Sequence, residues 1–130
     1  MNVRLFRVIL PAADVQRSVA FYAALFEDPG ERVANTRHYF ECGGVILAIV
    51  DPRGEDESVE VRPNPDHVYF AVEDLEAMYE RAKAAGCSWL EDQIRTRVWG
   101  ERSFYARDPV GNPICFVDGS TVFRGGRFLD

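Results

Sequence analysis

The 130-residue sequence predicts one α+β domain built from two tandem βαβββ modules. Two observations carry that expectation. The segment from Arg7 to Asp14 is apolar and ends in Asp, and the segment from His67 to Asp74 does the same at an offset of sixty residues. Each Asp is followed first by a helical pattern and then by strand signals separated by strong turn chemistry.

In the first half, Asp14 is placed to cap a helix that carries Val15, Val19, Tyr22, Leu25 and Phe26 on one face, closed by Pro29-Gly30. Strand signals follow, weakly at Arg32 to Ala34, then at Thr36 to Cys42, a Gly43-Gly44 turn, and Val45 to Val50. In the second half, Asp74 caps a helix with Leu75, Met78, Tyr79, Ala82 and Ala85 on one face, stopped by Gly86. Strands are expected at Ser88 to Leu90, Arg102 to Arg107 and Ile114 to Val117, the last two joined by the turn Asp108 to Pro113. Gly44 aligns with Gly111 and Asp51 with Asp118 at an offset of sixty-seven, so seven extra residues lie between helix and hairpin in the second half. Module 1 is assigned to about residues 1–51 and module 2 to about 67–118. The stretch 52–66 is a proline-containing acidic connector, and 119–130 is a tail with little periodicity.

Composition narrows the function classes. Fifteen Lys and Arg against twenty-one Asp and Glu give a net charge of -6, which argues against a nucleic-acid partner. No apolar run approaches the ~18 residues of a membrane span, and the N-terminus lacks the features of a signal peptide. Three cysteines without paired spacing, Cys42, Cys87 and Cys115, suit free thiols in the cytoplasm.

Beside the repeat stand three further features: Phe21-Tyr22 in the first helix, Trp99-Gly100, and Asp108-Pro109-Val110-Gly111-Asn112 before the last strand. With them the sequence resembles the vicinal oxygen chelate superfamily, the fold of glyoxalases, bleomycin resistance proteins and extradiol dioxygenases, over about residues 3–118. The resemblance implies cupped mixed sheet around one cavity, commonly completed in a homodimer. It also implies where a divalent metal would sit in the family's metalloenzymes: one side chain from each opening strand and one from each closing strand. Here those four positions read Arg7, Ala48, His67 and Cys115. A guanidinium has no lone pair to give and repels a cation, and a methyl group ligates nothing. The expectation is therefore no metal and no cofactor. His38 lies away from the four positions.

Strand alternation sends Val8 and Leu10 toward the helix and Arg7 and Ile9 into the cup. A guanidinium there calls for an anion, either an internal acid or the carboxylate or phosphate of a ligand. Tyr69 shares the face of His67, and Trp99 is placed to rim the cup, whereas Phe70 and Phe116 point to the core. Cys115 reads as a small buried hydrophobe or as a nucleophile if a base such as His67 activates it. Arg7, His67, Tyr69, Trp99 and Cys115 are the candidate ligand-binding residues. The favoured function is a metal-free protein that holds an apolar or anionic small molecule in a homodimer cavity. Two alternatives stand beside it: a metal-dependent lyase, isomerase or dioxygenase with non-standard ligands, and a ligand-free structural dimer.

Overall fold

The computed structural model describes residues 2–125. Residues 126–130 of the expected tail lie outside the described residues. The first module runs β1 (Arg7–Pro11), α1 (Val15–Phe26), β2 (Glu31–Ala34), β3 (Arg37–Cys42) and β4 (Val45–Val50). The second runs β5 (Val68–Val72), α2 (Leu75–Ala85), β6 (Trp89–Leu90), β7 (Arg95–Thr96), β8 (Arg102–Arg107) and β9 (Pro113–Asp118). A short 3-10 turn, Pro52–Gly54, opens the connector, which contains no strand.

Each module makes its own sheet. The order is β1-β4-β3-β2 in the first and β5-β9-β8-β6 in the second, with β7 also paired to β8. The opening strand of each module pairs parallel to its closing strand, and the remaining pairs are antiparallel. The second half departs from the expected three strands after the helix. Its seven extra residues include β7, two residues long and therefore too short to show a period.

Both helices start where an Asp side chain satisfies an orphan backbone N–H. Asp14 accepts from the Arg17 N–H at 3.1 Å and Asp74 from the Ala77 N–H at 3.0 Å. Helix α2 buries Leu75, Met78, Tyr79 and Ala82 and ends on Gly86, whose φ of 95° is open to glycine without strain. Helix α1 buries Phe21 and Ser18 in addition to Tyr22 and Leu25, a wider stripe than its apolar period predicts. Among the described residues no helix is long and apolar enough to cross a membrane.

The helix-facing sides of the two sheets share a single core. It joins Leu10, Phe40, Leu47 and Ile49 of the first sheet to Phe104, Ala106, Ile114 and Phe116 of the second, with both helices. The Asp108 turn ties the modules together. The Tyr22 hydroxyl donates to Asp108 Oδ2 at 2.8 Å, across 86 residues of sequence. The Asn112 amide donates to Asp108 Oδ2 at 3.1 Å and to the Pro11 carbonyl at 2.8 Å, and its oxygen accepts from the Asn64 N–H at 2.9 Å. Asp108 and Asn112 are fully buried. Burial, and then the Asp108 charge, hold the Tyr22 hydroxyl well above its ordinary pKa. The opposite side of each sheet turns away from this core, and the chemistry-bearing residues stand there.

Candidate functional site on the outer sheet faces

In the second sheet, register sets Tyr69, Cys115 and Tyr105 side by side across β5, β9 and β8. His67 lies just before β5. Its ring meets Tyr105 edge-on with centroids 4.8 Å apart and lies 6.1 Å from Tyr69, while Tyr69 and Tyr105 are 6.4 Å apart. Three rings thus form one aromatic group with Cys115 in its floor. Tyr69 is 56% exposed and Cys115 is fully buried. Phe70 and Phe116 stack on the core side at 5.2 Å, as alternation requires.

Burial pushes the Cys115 thiol up to about 11 and outweighs the Ser103 hydrogen bond and the pull of the nearby Arg97 guanidinium. No hydrogen bond joins this thiol to His67 among the described residues; it reaches the Phe116 carbonyl at 4.0 Å. A base in contact and a lowered pKa are what a nucleophilic thiol needs, and Cys115 has neither. His67 is held below its ordinary value, first by desolvation and then by the Arg107 charge, with Asp66 opposing. Near neutral pH its imidazole is uncharged and can both donate and accept a hydrogen bond.

A part-buried ion pair that sequence reasoning missed supports this face. Arg97 donates to both carboxylate oxygens of Glu91, at 2.6 and 3.2 Å, and to Ser103 Oγ at 2.9 Å. Its guanidinium lies 4.6 Å from the centre of the Tyr105 ring. Burial raises the Glu91 pKa, but the bonds from Arg97 and the Tyr105 N–H and the charges of Arg97 and Arg95 outweigh it and hold the carboxyl below its usual value. Trp99 sits on the turn after Arg97, 60% exposed, and its indole N–H donates to Glu101 at 2.8 Å. No ring contact joins Trp99 to the His67 group among the described residues.

Beside the His67 group opens a cavity of about 470 Å³, lined by His67, Trp89, Tyr105, Ala106 and Arg107. Trp89 and Arg107 are paired in register on β6 and β8. Trp89 and Arg107 were not among the residues expected from sequence.

On the first sheet, Arg7 and Ile9 are exposed while Leu10 is buried, which is the alternation expected of β1. The Arg7 guanidinium stands over two rings, 4.8 Å from Phe6 and 5.2 Å from Tyr39. Among the described residues it forms no ion pair, so none of their acids is the internal partner weighed for it. Ala48 is fully buried between Ile9 and Tyr39. His38 donates from Nε2 to the Pro29 carbonyl at 2.8 Å. No hydrogen bond, ring contact or ion pair joins Arg7 to the His67 group among the described residues.

A family model described as the Glyoxalase/Bleomycin resistance protein/Dioxygenase superfamily matches residues 4–116. The chain belongs to this superfamily. The chain is 28% identical over 114 residues to a protein named Metallothiol transferase FosB from Shouchella clausii (strain KSM-K16), covering 86% of this chain and 77% of that one. A glyoxalase/bleomycin resistance protein of Albidiferax ferrireducens T118 superposes with a TM-score of 0.73 at 22% identity, covering 88% and 97% of the two chains. A lactoylglutathione lyase of Agrobacterium tumefaciens superposes at 0.69 with 21% identity, covering 92% and 96%.

The superfamily's metalloenzymes raise the question of a divalent ion. The four corresponding positions do not fit one. His67 and Cys115 are the only electron-pair donors among them, Ala48 has none, and Arg7 brings a positive charge. The described residues contain no group of three or more His, Cys, Asp or Glu placed to hold a metal ion.

Proposed function

We propose that this superfamily member binds a small apolar or anionic organic molecule without a metal, in a cavity that a second copy of the chain completes. One observation carries the reading. At the four corresponding positions the chain offers a guanidinium with no ion-pair partner among the described residues, a methyl group, an uncharged imidazole and a protonated thiol. That set suits an anion and a ring system better than a cation. The exposed outer faces support the part assigned to a second copy. Ile9, Tyr69 and Phe6 are 44%, 56% and 51% exposed on or beside the two opening strands. Among the described residues each opening strand has hydrogen-bonded neighbours on one edge only. The net charge of -6 argues against nucleic acid, and three free cysteines fit a reducing, cytoplasmic setting.

A second reading, a metal-dependent enzyme with unusual ligands, draws support from the likeness to the protein named a metallothiol transferase. Elemental analysis separates the two. Purified protein is expected to carry no stoichiometric Ni, Zn, Fe or Mn, and one tightly bound equivalent overturns the metal-free reading. A thermal-shift screen of aromatic acids, their neutral amides and glycopeptides then tests binding. A true ligand raises Tm with its concentration by mass action, and the absence of any shift across the screen overturns the binding reading.

A further inference from the structure

We infer that the cavity between Trp89 and His67 is a binding site for a planar aromatic carboxylate, with Arg107 as its anion anchor. The inference rests on the binding reading above and names a ligand class and a place for it.

Its walls argue for a flat ring. Trp89 presents an indole that is 51% exposed and lines the cavity, a flat apolar surface on which a ring can stack. Tyr105 and His67 form the facing wall with centroids 4.8 Å apart. Tyr105 is held from one side by the Arg97 guanidinium, itself bonded to Glu91, which positions this ring before any ligand arrives. The volume of about 470 Å³ falls within the range of small-molecule sites.

The charge argues for a carboxylate. Arg107 is exposed and, among the described residues, forms no ion pair; its one hydrogen bond runs from Nη1 to the Gly111 carbonyl at 3.0 Å. The rest of the guanidinium edge is available to a bidentate acceptor. Its field reaches into the cavity, since it helps to hold His67 uncharged while Asp66 opposes it. Among the lining residues the guanidinium is the sole fixed charge, which matches a monoanion rather than a doubly charged phosphate. His67 then offers a neutral hydrogen bond to a ring substituent.

Isothermal titration calorimetry on the wild-type chain with 4-nitrobenzoate and 4-nitrobenzamide tests this. The two probes share shape and differ in charge. The acid is expected to bind about tenfold tighter or more. Arg107→Gln should abolish that preference, and Trp89→Ala should weaken both probes together. Both substituted side chains are solvent-exposed, and unchanged urea midpoints will confirm that the variants fold. Equal affinity for the two probes, or a preference that survives Arg107→Gln, overturns the inference. If instead Arg7→Gln removes the preference, the acid sits on the first sheet: the binding reading stands and this site falls. If 4-nitrobenzoate fails to bind while another compound raises Tm, the result is the same. Failure of the underlying reading looks different, as no compound in the thermal screen shifts Tm at all.

Discussion

Replacing Tyr22 with Phe removes one hydroxyl from the point where the two modules meet. The ring keeps its neighbours, with Phe21, Phe26 and Phe40 at 4.9, 5.6 and 6.5 Å between centroids. What is lost is a buried hydrogen bond of 2.8 Å to the Asp108 carboxylate. Bonds to charged groups contribute about 1.5–3 kcal/mol, and Asp108 Oδ2 retains the Asn112 amide, so the loss should lie within that range. For a chain of this length the Tm should fall by roughly 5–12 °C. Tyr79→Phe is the matched control. Its hydroxyl donates at 2.5 Å to the neutral Glu91 carbonyl in a partly buried setting, and its removal should cost about 0.5–1.5 kcal/mol. Urea denaturation at fixed protein concentration measures both, with an unchanged m-value showing that the unfolded state is not involved. If Tyr22→Phe loses no more stability than Tyr79→Phe, the assigned weight of the Asp108 turn is wrong.

Two further outcomes follow from the outer face of the second sheet. In an NMR titration His67 should show a pKa below the ordinary 6.5, and Arg107→Gln should move it upward. Because the folded chain holds that proton more weakly than the unfolded one, His67 adds stability above its unfolded pKa, and this is lost as pH falls through the depressed value; an unshifted or raised midpoint refutes the described surroundings. With its pKa at about 11, Cys115 should react with iodoacetamide at pH 8 about a hundredfold more slowly than an ordinary thiol, from thiolate fraction alone. Peptide mapping after timed alkylation reads this, and His67→Ala should leave the rate unchanged; a slower rate in that variant would restore a catalytic pairing.

Legibility in the sequence followed the length of the pattern. Asp14 and Asp74 could be placed as caps because a short oxygen-bearing side chain precedes an apolar period of ten or so residues, and both side chains do accept backbone N–H groups. The alternation of Arg7, Val8, Ile9 and Leu10 gave the facing of β1 because the side-chain period in a strand is two. The two-residue strand β7 carries no period and was missed. The Arg97–Glu91 pair was missed for another reason. Its partners lie on a loop and a strand end, and only the folded register of β7 on β8 turns them toward one another. Trp89 and Arg107 were hidden in the same way. Their neighbours across β6 and β8 are eighteen positions apart in the chain, and nothing local in either segment marks the cavity they line. The burial of Ser18 and Phe21 has a similar origin, because α1 packs against the second module as well as against its own sheet.

The four corresponding positions differ in how much room they leave, and this has a consequence for redesign. Arg7 and His67 stand at the solvent side, so an imidazole grafted in place of the guanidinium would displace nothing and leave the Asp108–Asn112–Tyr22 knot intact. Ala48 and Cys115 are sealed, and a carboxylate introduced at either would have to be desolvated and make its own space among packed neighbours. The scaffold therefore accepts new chemistry unevenly: its rim can be rewritten by single substitutions, whereas its floor yields only when the surrounding side chains are resized with it.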